Sequence, residues 1–115
     1  MPDPSHLLIA RVHGVAVRSA ELTAAAQELA DASGAQDGCL SFDVLAPAGA
    51  EAELVLVSAW RSDRDMRAHF SSGAYGRYVS AVTDLLTRPS DVTIHAISGT
   101  VHPLPDLSIE PQRAT

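Results

Sequence analysis

An α+β fold is predicted for this chain by three observations. Short apolar runs and helix-patterned stretches follow in the order strand, helix, strand, strand, helix, strand; a turn of small residues joins the second and third strands; and several strands are apolar on both alternating sets. That order is the split βαβ pattern (βαββαβ) of ferredoxin-like folds, in which helices cover one face of a four-stranded antiparallel sheet.

The first strand spans His6 to His13, with Leu8, Ala10 and Val12 on one set and Leu7 and Ile9 on the other. Apolar residues on both sets indicate a strand buried on both faces. After Gly14, Ser19 is placed to cap a helix, with Glu21 in its first turn complementing the helix dipole. Leu22, Ala25, Ala26, Leu29 and Ala32 form one apolar stripe, and Gly34 is expected to end the helix in a left-handed cap. Gly38 opens the second strand, which runs to Ala46 with Leu40, Phe42 and Val44 alternating against Ser41, Asp43 and Leu45. Pro47 to Ala52 supplies hairpin-loop residues, and the third strand spans Glu53 to Arg61.

Ser62 and Asp65 then have capping-box spacing ahead of a helix carrying Met66, His69 and Phe70 on one face. Gly73 allows a break. A further helix carries Tyr75, Tyr78, Val79, Val82, Leu85 and Leu86 at spacings of three and four, and Pro89 ends it. Asp91 to Ser98 is the last strand. Residues 1–99 thus form the domain, and residues 100–115, with Pro103, Pro105 and Pro111, read as an irregular tail.

The second face of this sheet is not polar. The third strand presents Leu54, Leu56 and Trp60 on one set and Val55, Val57 and Ala59 on the other. A second copy of the chain is the simplest cover, so a homodimer is expected.

With 115 residues, a 46% hydrophobic fraction and 19% charged residues, the chain is long enough for one core and too apolar for a disordered polyelectrolyte. Its net charge of -6 argues against nucleic acid and anionic membranes as partners. The single cysteine, Cys39, excludes an internal disulfide and a four-thiolate zinc site, and reads as a small buried hydrophobe. The apolar run Leu7 to Ala10 is too short for a signal peptide, so a reduced, cytoplasmic protein is expected. All eight basic residues are Arg, and the chain contains no Asn.

Trp60, at the end of the third strand, and His69 and Phe70, about two turns into the next helix, are expected to meet at one end of the space between helices and sheet. Tyr75 and Tyr78 add two phenols, and Ser58 and Phe42 complete the candidate substrate-binding set. An aromatic cavity with one imidazole and two phenol hydroxyls suits a flat, phenolic, hydrogen-bonding ligand. A Trp at a strand end is equally a core residue, and a His on an apolar stripe is more often a packed core histidine than a base. The five histidines show no paired ligand spacing, although His13 and His95 approach each other if the first and last strands pair; no metal site is expected. No Gly-rich phosphate loop or nucleophile elbow is present.

Gly38-Cys39-Leu40 with Phe42, the strand ending in Trp60, and the run Trp60, Ser62, Asp65, Met66, Ala68-His69-Phe70 resemble the antibiotic biosynthesis monooxygenase (ABM) domain family and its W-x-S-x-x-x-x-x-A-H signature. The resemblance covers Gly38 to Ser98 and implies a dimeric α+β barrel built from two ferredoxin-like units. Some members of that family oxygenate aromatic polyketides or quinols with O₂ and no metal, flavin or other cofactor. On that pattern Trp60 lines the pocket, His69 is the base or hydrogen-bond partner, and Tyr75 and Tyr78 orient substrate oxygens.

The polyketide-oxidising branch has an Asn four residues before the Trp and a Tyr six after it; here those positions are Leu56 and Met66. The haem-degrading branch needs an Asn in the first strand and a His in the later helix, and this chain has neither. The implied activity is a cofactor-independent monooxygenase, an oxidoreductase acting on a small phenolic, quinol or polyketide-like aromatic with O₂. The alternatives are a non-catalytic dimeric module that binds a small aromatic ligand, and a non-oxidative isomerase or cyclase on the same scaffold. A cavity filled by Leu56, Met66 and Phe70 would speak against catalysis.

Overall fold

In a computed structural model, residues 3–103 of the chain are described. The elements are β1 (His6–His13), α1 (Ser19–Ser33), β2 (Cys39–Leu45), β3 (Glu53–Trp60), α2 (Asp63–Phe70), α3 (Gly73–Val82) and β4 (Asp91–Ala96). The strands form one antiparallel sheet in the order β2-β3-β1-β4, the topology of the split βαβ fold. Of the expected tail, residues 100–103 have no regular structure and residues 104–115 lie outside the described residues.

Register sets the two faces of the sheet. Leu8 pairs with Ser58 and Ile94, and Ala10 with Leu56 and Val92, so these side chains share the helix-covered face. Val12, Leu54 and Leu56 pack there against Leu22, Ala26 and Leu29 of α1 and Val82 beyond them. A smaller cluster of Leu8, Trp60 and Met66 lies at the other end. The opposite face carries Leu7, Ile9, Val55 and Val57, half-buried, and Leu45, exposed; none belongs to either cluster. His13 also lies toward that side. Its Nδ1 is 3.3 Å from Glu53 and its Nε2 is 3.0 Å from Asp91. β1 and β4 do pair, but His95 stands opposite Leu7, so His13 and His95 do not meet.

Three local expectations are corrected. Ser19 is not the cap of α1: a 3₁₀ turn at Ala16–Arg18 leads into the helix, Arg18 takes the capping position and no side chain caps it. Gly34 stays right-handed, at φ -60°, because the chain continues through a turn; the left-handed residue is Gly38, at φ 80°. A bulge between Cys39 and Ser41 in β2 removes Leu40 from the alternation and leaves Cys39 and Phe42 both against the smaller cluster.

Two serine caps set the direction of the helices that carry the candidate site. Ser62 Oγ accepts from Asp65 N–H (3.1 Å) at α2, and Ser72 Oγ accepts from Tyr75 N–H (3.2 Å) at α3. The Asp65 carboxylate is too short to close a full capping box, and instead accepts from the Ser62 hydroxyl at 2.9 Å and from Arg61. Gly38 packs directly beneath it. Its positive φ already disfavours a side chain, and an added Cβ would meet the Asp65 side chain. Gly38→Ala is expected to cost about 1–3 kcal/mol and lower Tm by on the order of 10 °C, read from a thermal melt.

Candidate active site

His69 occupies the middle of an aromatic box. Its ring centroid lies 5.1 Å from Trp60, 5.3 Å from Tyr75, 5.5 Å from Phe70 and 5.8 Å from Phe42. Tyr78 stands 6.2 Å beyond Tyr75. Only 2% of His69 is exposed, and burial pushes its imidazole below the usual histidine range, so the ring is neutral at pH 7. Its Nδ1 lies 3.0 Å from Gln36 Oε1. An amide oxygen only accepts, so this contact is a hydrogen bond when Nδ1 carries the ring proton, which leaves Nε2 with a lone pair. Among the described residues nothing hydrogen-bonds Nε2.

A cavity of about 60 Å³ lies between the sheet and α2 and α3. Its polar wall is Ser58, His69, Tyr75, Tyr78 and Ser90, and its apolar wall includes Phe42, Phe70, Leu8 and Leu56. Six of the seven candidate residues, His69, Tyr75, Tyr78, Phe70, Ser58 and Phe42, are therefore brought together. Trp60 is the exception. It is fully buried and does not line the cavity; its indole N–H donates to Ser58 Oγ at 2.9 Å, placing it behind the wall. Residues 58 and 60 share a strand face, and the shorter side chain reaches the cavity while the larger fills the space beneath α2.

Ser58 accepts from Trp60, so its own O–H is free to donate into the cavity. Neither tyrosine hydroxyl is bonded to another described residue. Burial, with Tyr75 alongside, pushes Tyr78 up to about 12, so it is a proton donor at any ordinary pH. The two departures from the polyketide-oxidising pattern fall differently. Leu56 is in the cavity wall and makes it apolar, whereas Met66 is buried beside Leu8 and Trp60 and is not part of the wall. The cavity is narrowed by Leu56 and Phe70 but not filled. Cys39 is partly buried against the same cluster, and burial raises its thiol pKa. No group of three or more His, Cys, Asp or Glu side chains placed for a metal occurs among the described residues.

On its other side His69 borders an open polar cleft, about 730 Å³, lined also by Gln36, Asp37, Arg61, Ser62, Arg64, Asp65, Ala68 and Ser72. Gln36 was not legible as a site residue. It lies in a loop 33 residues from His69, with no periodicity or motif to single it out.

With this geometry in place, residues 6–81 match the sequence profile of the family described as Antibiotic biosynthesis monooxygenase. The chain belongs to the ABM family. A curated relative, "Putative monooxygenase Rv0793" of Mycobacterium tuberculosis, is 42% identical over 62 residues, 54% of this chain; the match spans 60% of that relative's length. The solved structure of Rv0793 superposes with TM-score 0.78 at 32% identity, covering 84% of this chain and 98% of the other. Two more distant structures share the fold. One, from Deinococcus radiodurans and titled a putative antibiotic biosynthesis monooxygenase, has TM-score 0.80 at 16% identity, covering 86% and 98% of the two chains. The other, from Nitrosomonas europaea and titled likewise, has TM-score 0.77 at 20% identity, covering 82% and 99%. No helix among the described residues is long and apolar enough to cross a membrane.

Proposed function

We propose that this ABM-family chain is a cofactor-independent monooxygenase that oxidises a small phenol or quinol with O₂ in the cavity beside His69. The observation that carries this reading is the imidazole itself: buried, held neutral and with Nε2 uncommitted, among aromatic rings and free hydroxyls. A quinol hydroxyl gives its proton to Nε2, and Ser58, Tyr75 and Tyr78 donate to the oxygens of the resulting anion. The anion is electron-rich and serves as the reductant of O₂. One oxygen atom enters a ring carbon and the other leaves as water, so that a quinol and O₂ give a hydroxyquinone and water. Trp60 acts through Ser58 and His69 rather than on the substrate.

The cavity also speaks to substrate size. At about 60 Å³ it holds roughly two waters, and ligand pockets run to roughly 300–1,000 Å³. A single ring enters when Phe70 and Tyr75, both half-buried, swing aside; a polycyclic polyketide demands far more. The same narrowness and the apolar Leu56 favour the second reading, a non-catalytic module binding a small aromatic.

The test is oxygen uptake by metal-stripped protein against a panel of hydroquinones and anthrones. Uptake above the autoxidation blank, with one labelled atom from ¹⁸O₂ in each product, is expected for hydroquinones. No uptake across the panel by intact protein overturns the enzyme reading.

The assembly proposed is a homodimer through the open sheet face, in the reducing cytoplasm where the lone Cys39 stays a thiol. Leu7, Ile9, Val55, Val57 and Leu45 give that face an apolar centre. Ile9→Glu puts a charge there and is expected to convert a dimer into a monomer of the 12.1 kDa chain in analytical ultracentrifugation. A wild-type chain that already sediments as a monomer would sink the assembly.

A further inference from the structure

We propose that Gln36 is a positioning residue that fixes His69 in the Nδ1–H tautomer while leaving the ring uncharged, so that Nε2 is the free base of the site. The inference rests on the reading of His69 as the base. Gln36 is held before its side chain is considered. Its N–H donates to Ser33 O at 2.9 Å and its carbonyl accepts from Cys39 N–H at 3.1 Å. The left-handed Gly38 completes the turn, and the Gly38 carbonyl accepts from Arg61 N–H at 2.8 Å. The turn is thereby tied to the corner between β3 and α2, the helix that carries His69. From that anchored backbone the amide oxygen reaches Nδ1 at 3.0 Å.

The ring stands at a boundary. His69 lines both the apolar cavity and the polar cleft, whereas Gln36 lines the cleft alone. Gln36 therefore engages the imidazole from the wet side. The choice of an amide has a chemical meaning. A carboxylate at this place would also accept from Nδ1–H, but its charge would favour the imidazolium and fill Nε2 with a proton. An amide oxygen selects the tautomer without supplying charge. The other titratable or charged groups around the ring are Asp37, Arg61, Arg64 and Asp65 at the cleft and Tyr75 and Tyr78 at the cavity; Asp65 is engaged by Ser62 and Arg61. None of these side chains hydrogen-bonds the imidazole.

The experiment is ¹⁵N-histidine NMR on the full chain without substrate, with His69 assigned by its loss in His69→Ala. Wild-type protein at pH 7.5 is expected to show a protonated Nδ1 and an unprotonated Nε2. Gln36→Leu is expected to shift both nitrogens toward the averaged values of mixed tautomers. Gln36→Glu, nearly isosteric, is expected to keep the Nδ1–H form but raise the His69 titration midpoint by roughly 1–3 in pH. In that variant the acid limb of kcat/KM moves upward by the same amount and activity returns at higher pH; a merely structural defect would lower the whole profile. A protonated Nε2 in the wild type, or an unchanged His69 pattern in both folded variants, overturns the proposal. The NMR readout needs no turnover, so a correct tautomer in a protein that consumes no oxygen would refute the oxygenase reading and leave the Gln36 assignment standing.

Discussion

His69→Ala is expected to lower kcat/KM for oxygen consumption by roughly 10²–10⁴-fold, the usual contribution of a positioned base. The loss should appear in kcat more than in KM, because the aromatic walls and the hydroxyls of Ser58, Tyr75 and Tyr78 remain. The pH profile gives a second handle. Burial lowers the imidazole's pKa, so the base form persists below the ordinary midpoint near 6.5. The wild-type acid limb should therefore have its midpoint below pH 6.5, with a plateau through neutrality. Stability follows the same linkage. As pH falls below about 6.5 the unfolded chain takes up a proton at this position that the folded chain refuses, so His69 then works against the fold. The difference in unfolding free energy between wild type and His69→Ala should change from pH 6.5 down through the folded pKa and then level off. Denaturant titrations of both proteins across pH 4–8 check it. An unchanged kcat/KM in a folded His69→Ala protein would remove His69 from the chemistry.

Trp60→Ala is expected to cost roughly 3–5 kcal/mol, the range for deleting a large buried aromatic. Trp60 is fully enclosed, packs with Leu8 and Met66, lies tilted against the His69 ring and bonds Ser58, so little nearby can collapse into its place. Against a total of roughly 5–15 kcal/mol this is a drop in Tm on the order of 20 °C. Trp60→Phe keeps one six-membered ring but loses the rest of the indole together with the donor to Ser58, and should cost less, about 1–3 kcal/mol. Far-UV circular dichroism melts of the three proteins test the ordering. Equal stability of Trp60→Ala and wild type would mean that the site is not supported from behind.

The elements were legible because apolar periodicity is local. The sequence pattern gives β1 at His6–His13 and β3 to within one residue, and the Ser62 end of α2 follows from a short-range rule, whereas the Ser72 cap of α3 is seen only in the structure. The errors arose where chain direction is decided by turns. Ser19 follows a 3₁₀ turn that already starts the helix, and Gly34 shares its loop with Gly38, which takes the left-handed conformation instead. In the site, strand alternation and helix spacing were enough to gather His69, Phe70, Tyr75 and Ser58. They could not rank Ser58 against Trp60 for depth, since both lie on one face and only the packing of α2 decides which is covered. Gln36 depends on a contact between a loop and a helix far along the chain, and its polarity alone carries no such information.

The enclosure of Trp60 makes it an optical reporter. It is the only tryptophan, fully shielded from water, and its ring sits 5.1 Å from the His69 imidazole. An excited indole is quenched efficiently by a protonated imidazole and weakly by a neutral one. The emission should therefore be blue-shifted and bright at neutral pH and dim as His69 takes its proton, without label or substrate. The same signal would register a ligand entering the cavity, because displacement of the neighbouring rings changes the surroundings of the single fluorophore.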